Sequence, residues 1–197
     1  MVSTNDAFLT PRSVSVEIIM PVYNAGSYVG QAIEAICAQT AADWRLHIVD
    51  DASTDDSFNR ISVYETIDNR INLIRLEANK GAVVSRNTAL SSVSSRYIAF
   101  CDSDDIWMRD KLEKQLQVLQ ASGHGICCTA YTRIDAEGHA FGSVVTPPKV
   151  IDYARLLRSN CIGMSTAMID THVCGPVRLP SIARRQDYAL WLQLARQ

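Results

Sequence analysis

Asp102-Ser103-Asp104-Asp105 places three aspartates within four residues, directly after the apolar run Tyr97-Ile98-Ala99-Phe100-Cys101. A run of that kind reads as a buried strand, so its end forces two or three carboxylates together where their repulsion must be relieved. A divalent cation relieves it. Hard oxygen donors suit Mg²⁺ or Mn²⁺, and Mg²⁺ in particular is commonly held by one or two carboxylates plus the phosphates of a substrate. The competing explanation is an Asp-rich turn that caps a helix at Trp107 or Met108.

Asp50-Asp51 is a second acidic pair, again after an apolar run. With Ser53 and Thr54 following, it reads as an N-cap and an acidic first helical turn. It also reads as a ligand site: a carboxylate there accepts hydrogen bonds from a nucleobase N–H or a ribose hydroxyl, and the free N–H groups of the next helix meet anionic groups. A third possibility is a receiver-like domain that accepts phosphate on Asp50 or Asp51. The histidines, His47, His124, His139 and His172, never fall at metal-ligand spacing. Cys37, Cys101, Cys127, Cys128, Cys161 and Cys174 form no C-x-x-C pair, which fits reduced, buried thiols rather than a disulfide framework or a zinc site.

The elements that must position these residues alternate. A β-branched strand is expected over 15–20, ended by Pro21, which cannot donate to a central ladder. Val29, Ala32, Ile33 and Ile36 then recur at helical spacing, 44–49 reads as a strand, and Ser53 or Thr54 is expected to cap a helix reaching Tyr64. Strands over 71–76 and 96–101 flank a helix opened by Gly81 over 82–91. Short links between alternating strands and helices predict a parallel sheet with crossover helices on both faces. Ligands bind such sheets at the carboxyl ends of the strands, where Pro21-Val22-Tyr23-Asn24, Asp50-Asp51 and Asp102-Ser103-Asp104-Asp105 all fall. That convergence favours the ligand-site reading of the acidic strings.

Beyond Asp110 the alternation lapses. Leu112, Leu116 and Leu119 support a helix, 123–131 and a hairpin through Asp135-Ala136-Glu137-Gly138 suggest antiparallel additions, and a short helix over 153–159 precedes a strand over 165–169. Tyr188, Trp191, Leu192 and Ala195 mark a last helix that reaches Gln197 without a C-cap signal, as a truncated chain would. Trp107 and Trp191 sit at helical spacing with apolar residues, which favours core over sugar stacking, although Trp191 lies one turn from Asp187.

The whole composition agrees with one globular domain: 197 residues, 47% hydrophobic and 20% charged. Nineteen Lys and Arg against 21 Asp and Glu leave a net charge of −2, too little basic excess to grip a phosphate backbone, so nucleic acid is excluded as a partner. No apolar stretch resembles a secretory signal or a membrane span, so a cytoplasmic chain is expected.

Taken together the strings resemble the nucleotide-sugar-dependent family 2 glycosyltransferases over 14–196. The carriers are Pro21-Val22-Tyr23-Asn24; Val49-Asp50-Asp51-Ala52-Ser53-Thr54-Asp55; Asn79-Lys80-Gly81 followed by Ser85-Arg86-Asn87, where the family has Ala-Arg-Asn; and Asp102-Ser103-Asp104. The resemblance implies a GT-A (Rossmann-like) α/β fold with a mainly parallel sheet, flanking helices and a small antiparallel addition in the C-terminal half. It divides the chain into a flexible segment 1–13 and a single domain 14–197, whose part 14–110 binds the nucleotide-sugar and whose part 111–197 faces the acceptor.

By the same resemblance Pro21, Tyr23, Asn24, Asp50 and Asp51 contact the base and ribose, Asp102 faces the ribose or the metal, and Asp104 coordinates Mn²⁺ or Mg²⁺ on the diphosphate. Arg86 would add a bidentate phosphate contact or clamp Asp102. The family's catalytic base is the aspartate of a Glu-Asp pair; here it is Asp187 of Gln186-Asp187, a residue that also suits the N-cap of the last helix. The Gln-x-x-Arg-Trp string of processive synthases is absent, which implies transfer of one sugar per encounter. Implied partners are a UDP-sugar donor and a glycan or lipid-linked acceptor, met at the inner face of the membrane, in cell-surface polysaccharide biosynthesis. The alternative is a nucleotide-sugar-binding module without turnover.

Overall fold

A computed structural model describes residues 16–182 and 184–196; the segment 1–13 lies outside the described residues. The elements run β1 (Val16–Val22), α1 (Val29–Cys37), β2 (Trp44–Asp50), α2 (Ser57–Ile67), β3 (Ile71–Arg75), α3 (Ala82–Leu90), β4 (Tyr97–Phe100) and α4 (Lys111–Ser122). They continue β5 (Ile126–Cys128), β6 (Tyr131–Ile134), β7 (Ala140–Val145), α5 (Tyr153–Arg158), a 3-10 turn (Met164–Thr166), β8 (Ala167–Asp170), α6 (Thr171–Cys174) and α7 (Gln186–Leu194).

Six strands form one sheet in the order β3-β2-β1-β4-β8-β5. The first four are parallel, while β8 is antiparallel to both β4 and β5, so the expected antiparallel addition is built into the main sheet. The hairpin β6-β7 forms a separate two-stranded sheet. Arg96 ties β8 to the parallel half through a forked ion pair to the buried Asp170, 2.7 Å at its shortest. Burial alone would raise the Asp170 carboxyl; the Arg96 guanidinium and the His172 N–H hold it below the usual carboxylate range.

Alternation along the strands separates two cores. Ile18, Met20, Leu46 and Ile48 point to one face under Ile33 and Ile36 of α1, Ile61 of α2 and Leu112 of α4. Ile19, Val49, Ile98 and Phe100 point to the other, under Ala89 of α3, Leu156 of α5 and Leu190 and Trp191 of α7. Trp191 is fully buried, edge-on to Phe100 at 6.3 Å, and its indole N–H donates to the Ile162 carbonyl. Trp191 is therefore core and offers no platform to a sugar. Trp107 is buried as well.

Three local expectations are corrected. The strand β1 does not stop at Pro21; it pairs with β2 as far as Val22. Alternate residues of a parallel strand bond to opposite neighbours, and Val22 accepts from Asp51 on the β2 side while Ile19 accepts from Cys101 on the β4 side. Pro21 shares the parity of Ile19, and the β4 pairing has ended by then, so its missing N–H deprives no partner. Neither Ser53 nor Thr54 caps α2, which starts at Ser57, because both are bound to the loop after β1. No helix begins at Trp107 or Met108; α4 starts at Lys111, so helix capping does not explain the acidic string after β4.

Candidate functional site

The loops after β1 and β2 are laced together at the carboxyl edge. The Asn24 N–H donates to Ser53 Oγ at 3.0 Å, Ala25 N–H to Ser57 Oγ at 2.8 Å and Gly26 N–H to Asp55 Oδ2 at 2.9 Å. In return Thr54 N–H donates to Asn24 Oδ1 at 2.8 Å. Both loops bend through left-handed backbone, Asn24 at φ 51° and Ala52 at φ 56°; asparagine tolerates this, whereas alanine there is strained. The Asn24 side chain is thus engaged in holding the loops, and the half-exposed Tyr23 ring beside it faces solvent.

Asp51 joins these loops to α3. Its Oδ1 accepts from the Lys80 N–H at 2.8 Å and its Oδ2 from the Gly81 N–H at 2.7 Å, in a site that leaves it 3% exposed. Gly81 adopts φ 85°, left-handed backbone that a side chain would strain, as it turns into the helix. Asp50 is fully buried; its Oδ2 accepts from Ser53 N–H at 3.2 Å and pairs with Arg75 at 3.5 Å. Neither carboxylate of the pair is free on the surface for a phosphodonor, which removes the receiver-domain reading.

Arg86, on α3, donates from Nη2 to Asp102 Oδ1 at 2.5 Å, leaving the second Asp102 oxygen outside that pair. Its buried Nε has no hydrogen-bond partner among the described residues. Asp104 is exposed. Desolvation first, then the neighbouring Asp102 and Asp104 carboxylates, raise the Asp105 carboxyl above its usual range. Among the described residues no group of three or more side chains is arranged to hold a metal. The donors present, one free oxygen of Asp102 and the Asp104 carboxylate, fit a hard divalent ion that draws its remaining ligands from a diphosphate.

These side chains share one open cleft of about 180 Å³, lined by Pro21, Tyr23, Asp51, Arg86, Asp102 and Asp104, with Ser85 of α3 beside them. Asn24 and Asp50, expected at the base and ribose, are not among its lining residues. Asp187 is on another element: it lies in the first turn of α7, where Arg185 at φ 58° holds the N-cap position, so capping does not account for it. Its Oδ2 accepts from Asn160 Nδ2 at 2.9 Å.

Four polar residues around the site carried no signal in the sequence. Asn160 meets Asp187; Ser165 meets Asp102; Lys111 and Gln115 lie buried behind the acidic loop. Lys111 Nζ donates to Gln115 Oε1 at 2.5 Å and lies 4.0 Å from the Trp107 ring centre, and burial pushes its pKa down to about 8. A Lys and a Gln one turn apart read as a solvated helix face, so nothing local marked them as interior.

Residues 17–170 match the family model Glycosyl transferase family 2. Bacillus subtilis TuaG, named for a glycosyltransferase of teichuronic acid biosynthesis, is 38% identical over 182 residues, covering 92% of this chain and 72% of that protein. Escherichia coli WfgD, named UDP-Glc:alpha-D-GlcNAc-diphosphoundecaprenol beta-1,3-glucosyltransferase, is 39% identical over 179 residues, 91% of this chain and 69% of that one. Among solved structures, S. aureus TarS in complex with UDP superposes with a TM-score of 0.73 at 19% identity. The mannosyltransferase PcManGT of Pyrobaculum calidifontis, in complex with GDP-Man and Mn²⁺, gives 0.70 at 18%. The matches cover 92% and 91% of this chain but only about half of those two chains, 55% and 51%. At that identity they establish the shared GT-A fold.

Proposed function

This chain belongs to glycosyltransferase family 2, and we propose that it passes one sugar, with inversion, from a nucleoside-diphosphate-sugar to a glycan or lipid-linked acceptor. The observation that carries the proposal is the convergence of Tyr23, Asp51, Arg86, Asp102 and Asp104 on one cleft at the carboxyl edge of the sheet. Pro21 and Tyr23 form a wall for the base. Asp51 anchors the start of α3 and keeps lone pairs for a base or ribose hydrogen bond. Arg86 orients Asp102 and sets a fixed positive charge on the cleft wall beside the phosphates.

Asp102 and Asp104 would hold Mg²⁺ or Mn²⁺, which when bound offsets the charge that develops on the departing diphosphate. Asp187 accepts the proton of the acceptor hydroxyl as its oxygen bonds to the anomeric carbon. The bond from that carbon to the β-phosphate oxygen breaks, and its electron pair leaves with the nucleoside diphosphate.

The similarity to WfgD and TuaG supports a UDP-sugar donor, a lipid-diphosphate-linked acceptor and a place in cell-surface polysaccharide assembly. Such an acceptor would be met at the inner face of the membrane, and among the described residues no helix is long and apolar enough to cross one. Calorimetric titration of UDP and GDP with and without Mn²⁺ tests donor binding, and nucleoside diphosphate release from a panel of nucleotide-sugars with diphospholipid acceptors tests transfer. Absence of nucleotide binding would sink the proposal; binding without release would leave a nucleotide-sugar-binding module.

A further inference from the structure

Behind the acidic loop after β4, next to the buried Cys101 thiol that meets the Asp102 and Asp105 carbonyls, stands Ser165. Ser165 Oγ accepts the Asp102 backbone N–H at 2.9 Å, and its carbonyl accepts the Trp107 indole N–H at 3.1 Å. Within the loop the backbone turns through Asp105 N–H to the Asp102 carbonyl at 3.1 Å. Like-charged side chains on so short a stretch push apart, and Ser165 grips it at both ends.

Ser165 is itself fixed. It sits in the 3-10 turn closed by Thr166 N–H to the Gly163 carbonyl at 3.1 Å, and the Thr166 carbonyl accepts from Gln115 Nε2 at 3.0 Å. Gln115 accepts from Lys111 Nζ, whose ammonium covers the ring of Trp107, and Trp107 returns its N–H to Ser165. The contacts close a ring behind the loop through buried groups of α4 and the 3-10 turn.

We infer that Ser165 is a positioning residue for Asp102 and Asp104, setting the separation at which the two carboxylates meet a divalent ion on the diphosphate. The inference rests on the donor-binding reading above. Arg86 fixes one Asp102 oxygen from the α3 side and Ser165 fixes the Asp102 backbone from the β8 side, so the free oxygen keeps one direction. A site built from two loop carboxylates depends on such support, because displacement beyond about 0.5 Å loses metal geometry.

The test is calorimetric binding of UDP and GDP to the full chain and to Ser165→Ala and Ser165→Thr, with and without Mn²⁺. Ser165→Ala is expected to weaken Mn²⁺-supported binding by about three- to tenfold while metal-free binding changes by less than about twofold, and Ser165→Thr is expected to restore it. Trp107→Phe, which keeps the ring over Lys111 but removes the indole N–H, is expected to weaken the same metal-supported mode and serves where Ser165→Ala does not fold. Parental Mn²⁺-supported affinity in Ser165→Ala or Trp107→Phe, or equal loss with and without Mn²⁺, would overturn the inference alone. A parent chain that binds neither nucleotide with Mn²⁺ would overturn the donor reading and the inference with it.

Discussion

At the scale of single residues, the two aspartates assigned to metal and to proton transfer differ in what their loss should do. Asp104 is exposed and supports no part of the fold, so Asp104→Asn is expected to weaken Mn²⁺-supported UDP binding about tenfold or more without moving the thermal midpoint. Calorimetry beside a melting curve checks both halves; undiminished binding would remove Asp104 from the metal site. Asp187→Asn keeps the volume and a hydrogen bond with Asn160 but cannot take a proton. Donor affinity should stay near the parental value while transfer to a working acceptor falls by about 100-fold or more. Single-turnover rates equal to the parent's would give the base to another residue. Asp104 and Asp187 were visible in the sequence as members of patterned strings. Their supports were not, because Ser165 lies 63 residues from Asp102 and Asn160 lies 27 from Asp187.

Elements are held to the site by buried groups that have little slack. Removing the Asp51 carboxylate leaves the Lys80 and Gly81 N–H groups without acceptors where the chain turns into α3. Asp51→Ala should therefore destabilise the domain by about 2 to 3 kcal/mol as well as weaken nucleotide binding. Denaturant unfolding decides the matter: unchanged stability would mean that water replaces the carboxylate and that Asp51 is not structural. On α7, Trp191 packs edge-on to Phe100 and donates to the Ile162 carbonyl at the start of the segment that carries Ser165. Trp191→Ala is expected to cost about 3 to 5 kcal/mol, visible as a lowered denaturation midpoint, and a loss below 1 kcal/mol would contradict the packing described. The strands and helices were legible from periodicity, since apolar spacing records which face is buried. The start of α2 was not, since Ser53 and Thr54 are bound to the loop after β1.

For the whole molecule, the buried Lys111 gives stability a distinct pH response. Its folded pKa of about 8 lies below the ordinary lysine value, so between about pH 8 and 10.5 the unfolded chain binds more protons than the folded one. The Lys111 contribution is therefore destabilising at pH 7 and fades as pH rises through that window. Relative to Lys111→Met, the parent should gain on the order of 2 to 3 kcal/mol between pH 8 and 10.5, measured by denaturant unfolding at each pH. A pH-independent difference would place the ammonium in water. This group also shows where sequence reading ends. Amino-acid order alone determined the α/β class, the parallel half of the sheet, the acidic strings at its carboxyl edge and the family they resemble, because those features are periodic or contiguous along the chain. Only the tertiary structure decided that β8 enters the main sheet between β4 and β5, that Asp51 faces backbone N–H groups, that Trp191 is core, and that Lys111, Gln115 and Ser165 back the acidic loop. Each of those outcomes depends on partners far apart in sequence, and which distant groups meet is set by how the layers pack rather than by any local pattern.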